Sequence, residues 1–178
     1  NTALLELDVL KTENERMKEM FGRIKTEKRV LASILVRPPR SLYDTLILDV
    51  GRESGVKIGD VIAVEDVVVG EIVDVAGLTS TAKLYSTPGE KLTVLLGHPT
   101  VEVEIEGRGG GMFRARMPKG SKIESGDLAV LPGLFSKIIA RISNIESEPA
   151  GSFVMVTLST PLNIAERAWV EIIGKAQN

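Results

Sequence analysis

Cysteine is absent from the 178 residues, so the chain has no disulfide framework, no thiolate nucleophile and no Cys-ligated zinc. Aromatic residues make up only 4%, which leaves little for base stacking. Neither sign of charge dominates: 22 Lys and Arg face 24 Asp and Glu, a formal net charge of -2. Bulk attraction to nucleic acid or to an anionic membrane is excluded by that balance. No apolar run approaches the roughly 20 residues of a membrane span, and the N-terminus has no signal-peptide pattern. The chain starts at Asn1, without Met, inside a helical pattern. It is read as an excised fragment whose upstream part could hold an anchor or targeting signal.

What is present suits a globular protein. The hydrophobic fraction of 43% can fill one good-sized core or two small ones. From Leu4 to about Lys28 there is no Pro and one Gly, and Leu, Glu, Lys, Met and Arg dominate. Leu10, Met17, Ile24 and Leu31 step by seven, as do Leu7, Asn14 and Phe21 three places earlier, giving d and a positions of a heptad frame. Asn14 is the polar residue inside the seam, and an Asn there favours a partner Asn and a parallel dimer. Leu7, Leu10, Asn14, Met17, Phe21 and Ile24 are the candidate dimerisation residues. A single amphipathic helix lying on the domain behind it is the other reading. Three heptads are marginal alone, so a coiled coil is expected to continue upstream of Asn1.

From Val30 the period becomes two. Short β-branched runs separated by Gly, Pro, Asp and Ser predict an all-β sandwich or small barrels. In "VEVEIEGRGGGMFRARM", folding about "GRGGG" as a flexible tip sets Glu104 opposite Arg114, Glu102 opposite Arg116 and Ile105 against Phe113. The acidic run then becomes a solvated sheet face. The chain also resembles itself: Gly59-Asp60 recurs as Gly126-Asp127, and Ser86-Thr87-Pro88 as Ser159-Thr160-Pro161. About six strands per copy predict a mainly β protein: an N-terminal coiled-coil helix (1–28), then two six-stranded β-barrels in tandem (29–97 and 98–178), a chymotrypsin-like double-barrel architecture.

A double barrel raises the question of proteolysis, and the residues argue against it. His98 is the one histidine, set between Gly97 and Pro99, and no Gly-Asp-Ser-Gly-Gly type loop accompanies it. Glu65-Asp66 and Asp49 with Glu53 lack a spaced calcium-ligand loop. "GRGGG" lacks the following helix and Lys-Ser/Thr pair of a phosphate cradle. No catalytic residue, metal ligand, cofactor or nucleic-acid partner is expected.

A helix with "LKTENERM", then "LASILVRPPRSLYDTLILDVGRESGVKIGDVIAV" and "VVVGEIVDVAGLTSTAKLYSTP", resembles the rod shape-determining protein MreC family. The resemblance rests on the order of Glu13-Asn14, Ala32 to Arg37, Leu48 to Gly51, Gly55 to Gly59, Val69 to Val73 and Ser80 to Leu84. In the second half Gly126-Asp127, Gly133 and Phe135 fit the family pattern, while "LAVLPGLFSKIIARI" departs from it. The resemblance implies a single-pass inner-membrane protein whose coiled coil and barrels lie outside the cytoplasm, in the periplasm. It further implies a non-enzymatic scaffold of wall elongation that self-associates and contacts a class B penicillin-binding transpeptidase, MreD and the MreB system. The competing readings are a periplasmic adaptor of an export system and a degenerate double-barrel hydrolase.

Overall fold

The computed structural model describes residues 2–20, 28–38, 44–133 and 137–174. The chain divides into a helical unit at the N-terminus and a β unit over residues 29–175. Helix α1 (Thr2–Met20) is built from strong helix formers with no Gly or Pro. Leu31, assigned to the heptad frame, instead lies in the first strand, where β-branched and small residues take over.

Twelve strands are present among the described residues: β1 (Arg29–Val36), β2 (Thr45–Leu48), β3 (Val61–Val64), β4 (Val67–Val75), β5 (Ser80–Leu84), β6 (Lys91–Leu96), β7 (Val101–Gly109), β8 (Met112–Pro118), β9 (Leu128–Leu131), β10 (Lys137–Ser147), β11 (Phe153–Ser159) and β12 (Trp169–Ile173). The order β4-β3-β12-β1-β2-β5, closed by a β4–β5 pairing, makes a six-stranded barrel. The other six follow as β11-β8-β7-β6-β9-β10, and β10 pairs back onto β11. A parallel contact between Ile138 of β10 and Val67 of β4 joins the two sets.

The order is not the one expected from position along the chain. Sequence order predicts segment 169–173 in the second barrel, yet Val170 pairs with Ala32 of β1 and Ile172 with Ile62 of β3. Strand β6, assigned to the first, pairs along its length with β7 and touches β9.

Two cores result. One gathers Leu46, Leu48, Ile62, Ile72, Ala82, Val170 and Ile172; the other gathers Val94, Leu96, Ile105, Phe113, Ala115, Ile139, Ile142, Val156 and Leu158. Strand β3 explains why "VIAV" is apolar throughout. Ile62 and Val64 face the first core, while Val61 and Ala63 face the second, so the strand is a wall buried on both sides.

Corners recur with the repeat. At the turn 57–60 the Asp60 carboxylate accepts the Lys57 N–H at 2.9 Å; at 124–127 Asp127 accepts the Glu124 N–H at 2.9 Å. Gly59 and Gly126 take φ of 87° and 98°, which a side chain would resist. Each Gly N–H then donates to a long strand, to Ile72 at 2.8 Å and Ile142 at 2.9 Å, and each Asp carbonyl accepts in return. The stretch 55–64 is a barrel corner leading into a shared wall.

Candidate functional site

The helix carries the first candidate surface. Leu7, Leu10 and Met17 are 55%, 62% and 54% exposed, and Asn14 is exposed beside them. Spacings of three and four place all four along one stripe of α1. Phe21 and Ile24 lie outside the described residues. Exposed apolar residues also occur off the stripe, at Leu4, Leu5 and Val9, so the apolar surface is broader in the first turns than the heptad frame implies. Exposed apolar side chains grouped in this way mark a candidate interaction surface.

The second candidate surface is the charged outer face of β7 and β8. The expected pairing does not occur there. Glu106, not Glu104, lies opposite Arg114, and Gly107, not Ile105, lies opposite Phe113. The reason is a tighter turn: β7 runs on to Gly109, a bulge at Arg108 absorbs one residue, and Gly110-Gly111 make the turn. Glu102 and Glu104 therefore have Leu95 and Thr93 of β6 as their cross-strand neighbours, and Lys91 Nζ lies 2.8 Å from Glu104. Arg116 is held by Glu148 through two hydrogen bonds of 3.0 and 3.1 Å, and its guanidinium lies 3.9 Å from the centre of the Phe153 ring. The Glu148 carboxyl is accordingly pulled below the ordinary glutamate range, first by that hydrogen bond, and the Arg116 and Lys91 cations are held above theirs. These partners are far apart in sequence, and no local pattern signals them.

The "GRGGG" tip is not free. The N–H of Gly109 donates to the Ser86 carbonyl at 2.6 Å, that of Gly111 to Ser86 Oγ at 3.1 Å, and the Thr160 N–H to the Gly111 carbonyl at 2.7 Å. Both Ser-Thr-Pro corners thus grip one hairpin turn. At Gly107 a Cβ would lie 2.3 Å from the Thr87 carbonyl oxygen, so glycine is required by close approach of two backbones. A flexible tip was expected because glycine runs are flexible in isolation; here the contact partners come from distant corners.

Two of the carboxylates weighed as ligands, Asp49 and Glu65, have structural partners. Asp49 Oδ1 accepts the Ser33 N–H at 2.6 Å, and Glu65 lies 3.4 Å from Arg167. Among the described residues no group of three His, Asp or Glu could hold a metal ion. The His98 side chain is 84% exposed, with Nδ1 3.8 Å from Asp127 Oδ2, beyond hydrogen-bond reach. Tyr85 is partly buried against the second core, and burial, then Glu71, pushes its phenol far above the ordinary value.

The model of the family described as "Rod shape-determining protein MreC, barrel core" matches residues 34–174. The cell shape-determining protein MreC of Haemophilus influenzae is 26% identical over 176 residues, covering 94% of this chain and 50% of that protein. The chain thus spans about half the length of the curated relatives it matches. MreC of Listeria monocytogenes superposes with a TM-score of 0.78 at 20% identity, over 99% of this chain and 93% of that one. A complex of penicillin-binding protein PBP2 with MreC from Helicobacter pylori contains a similar fold, with a TM-score of 0.59 at 14% identity over 84% of this chain and all of that one. With most of the β unit inside the family match, the chain belongs to the rod shape-determining protein MreC family.

Proposed function

We propose that the chain is the extracytoplasmic part of a non-enzymatic cell-shape scaffold, in which the helix dimerises and the β unit recruits cell-wall synthesis proteins. The observation that carries this is the family match across residues 34–174. In this reading Leu7, Leu10, Asn14, Met17, Phe21 and Ile24 form a parallel coiled coil. The strand sets act as paired barrels behind a helix over 1–28, the first completed by the C-terminal strand. The complex of PBP2 with MreC from Helicobacter pylori supports a penicillin-binding transpeptidase as the partner. MreD and the MreB system are the further partners proposed.

Among the described residues no helix is long and apolar enough to cross a membrane. The anchor to the inner membrane is proposed upstream, with this region on the periplasmic side. Depletion of the full-length protein in its own cells tests the reading: rod shape is lost if it holds, and normal rod growth overturns it. Light scattering tests the coiled coil separately, since a monomer at every accessible concentration, even with the helix extended upstream, defeats it.

A further inference from the structure

We propose that the gap between β7 and β8 accepts one extended segment of a partner protein, added to the sheet as a strand. The two strands pair only at their turn end, where Glu106, Gly107 and Gly109 meet Arg114, Phe113 and Met112. Among the described residues, 101–105 of β7, beyond Glu106, are paired on the β6 side alone, and 115–118 of β8, beyond Arg114, on the β11 side alone. A groove of about 630 Å³ opens between them.

Strand geometry says which backbone groups face this groove. Alternate residues of a strand point their N–H and C=O to the same side. Gly107 exchanges hydrogen bonds with Glu90 and Gly89, on the β6 side, so Ile105, Val103 and Val101 point there as well. Glu102 and Glu104 therefore aim their N–H and C=O into the groove. On β8, the Gly111 carbonyl and the Lys119 N–H bond Thr160 and Ser152, on the β11 side, so 113, 115 and 117 follow them. That leaves the N–H and C=O of Arg116 and the C=O of Pro118 directed at β7. Two half-ladders thus face one another, and a row of such groups is the template for strand addition.

The groove specifies its occupant. Val103, Ala115 and Met117 line its inner side, and Glu102, Glu104, Arg114 and Arg116 its outer rim. Lys91 already holds Glu104, and Glu148 holds Arg116. An entering strand therefore alternates apolar residues inward with polar ones outward, with a basic residue beside Glu102. Five residues of β7 give it about 16 Å of edge at ~3.3 Å per residue. The groove is a property of the strands, and stands whether or not the chain serves wall synthesis.

The probe is an end-capped eight-residue peptide alternating Val with Lys and Thr, added to the whole chain and read by NMR amide exchange. In the free protein the Glu102, Glu104 and Arg116 amides exchange fast while Val103 is protected; the peptide slows all three. Glu104→Pro removes one groove-facing N–H and spares the β6 ladder, so peptide affinity falls about tenfold. Glu104→Ala keeps the N–H and stays within about twofold. A peptide N-methylated at alternate residues does not bind, and this carries the test if Glu104→Pro fails to fold. Protection of the three amides in the free protein overturns the proposal, as does absence of binding at millimolar peptide or equal affinity of the Pro and Ala variants. Protection that grows with protein concentration instead places a second copy in the groove, and also overturns it.

Discussion

Gly107→Ala isolates the contact that ties the hairpin turn to the corner after β5. The φ of Gly107 is not positive, so alanine suffers no backbone penalty, and in an open site the change would stabilise by about 0.4–1 kcal/mol. Here the new Cβ sits 2.3 Å from the Thr87 carbonyl oxygen, about 1 Å inside the 3.4 Å at which ordinary contact begins. Both neighbours are backbone, so neither can rotate aside. Moving β7 away by that distance breaks the Gly107 N–H bond to Glu90 (2.8 Å) and the Gly89 N–H bond to Gly107 (3.0 Å), and stretches that of Gly109 to Ser86. At ~1 kcal/mol per bond, less the unfolded-state gain, the net loss is about 1–2.5 kcal/mol, or a fall in Tm of roughly 2–10 °C. Urea unfolding of the purified chain measures it, with Gly120→Ala as the control. Gly120 has φ of 88° and nothing within 4 Å of its Cβ, so its cost is the left-handed conformation alone, about 1–2 kcal/mol. A Gly107→Ala chain as stable as the wild type, or more stable, refutes the close approach.

Removing the corner carboxylates tests the repeat. Asp60→Ala and Asp127→Ala each lose one hydrogen bond to a backbone N–H, for about 1 kcal/mol by urea unfolding, with the larger loss at Asp60, which is buried. Phe113→Ala empties the second core and is expected to cost about 3–5 kcal/mol in the same assay. Glu148 has a lowered folded pKa, so its attraction for Arg116 is present above the ordinary glutamate value and is lost as pH falls through the folded one. A carboxyl NMR titration should find it below the ordinary glutamate value, and Arg116→Gln should return it toward that value. Tyr85 has a raised folded pKa, so its contribution is complete below about pH 10 and declines as pH rises beyond that and the unfolded phenol ionises. In an alkaline absorbance titration its phenolate signal should appear only with unfolding.

Local elements were legible because local chemistry sets them. The runs "RVLASILV", "VIAV", "VVVGEIVDV", "LAVL" and "FVMVTLS" coincide with strands to the residue, since alternation and turn residues bound them. The paired Gly-Asp corners could also be read, because glycine at positive φ and an Asp accepting a nearby N–H use neighbours in sequence. Partner choice was not. The hairpin register slipped by two residues because the turn tightens to Gly110-Gly111 while a bulge at Arg108 absorbs one residue, and neither marks the hydrophobic pattern. Position along the chain likewise gave no sign that β12 fits between β1 and β3. At the candidate site, the heptad stripe is visible as periodicity, whereas the groove depends on where two strands part company.

The place of β12 governs how the protein can be made. As the chain emerges from the ribosome, β1 to β5 appear first, yet the ring they belong to has a gap until Trp169–Ile173 is synthesised. Until then Leu46, Leu48 and Ile62 have no lid from Val170 and Ile172, and β1 and β3 present bare edges to any neighbour. Nascent chains therefore pass through a sticky interval that ends only with the last strand. A premature stop before Trp169 would damage the N-terminal barrel, the part of the β unit farthest from it in sequence.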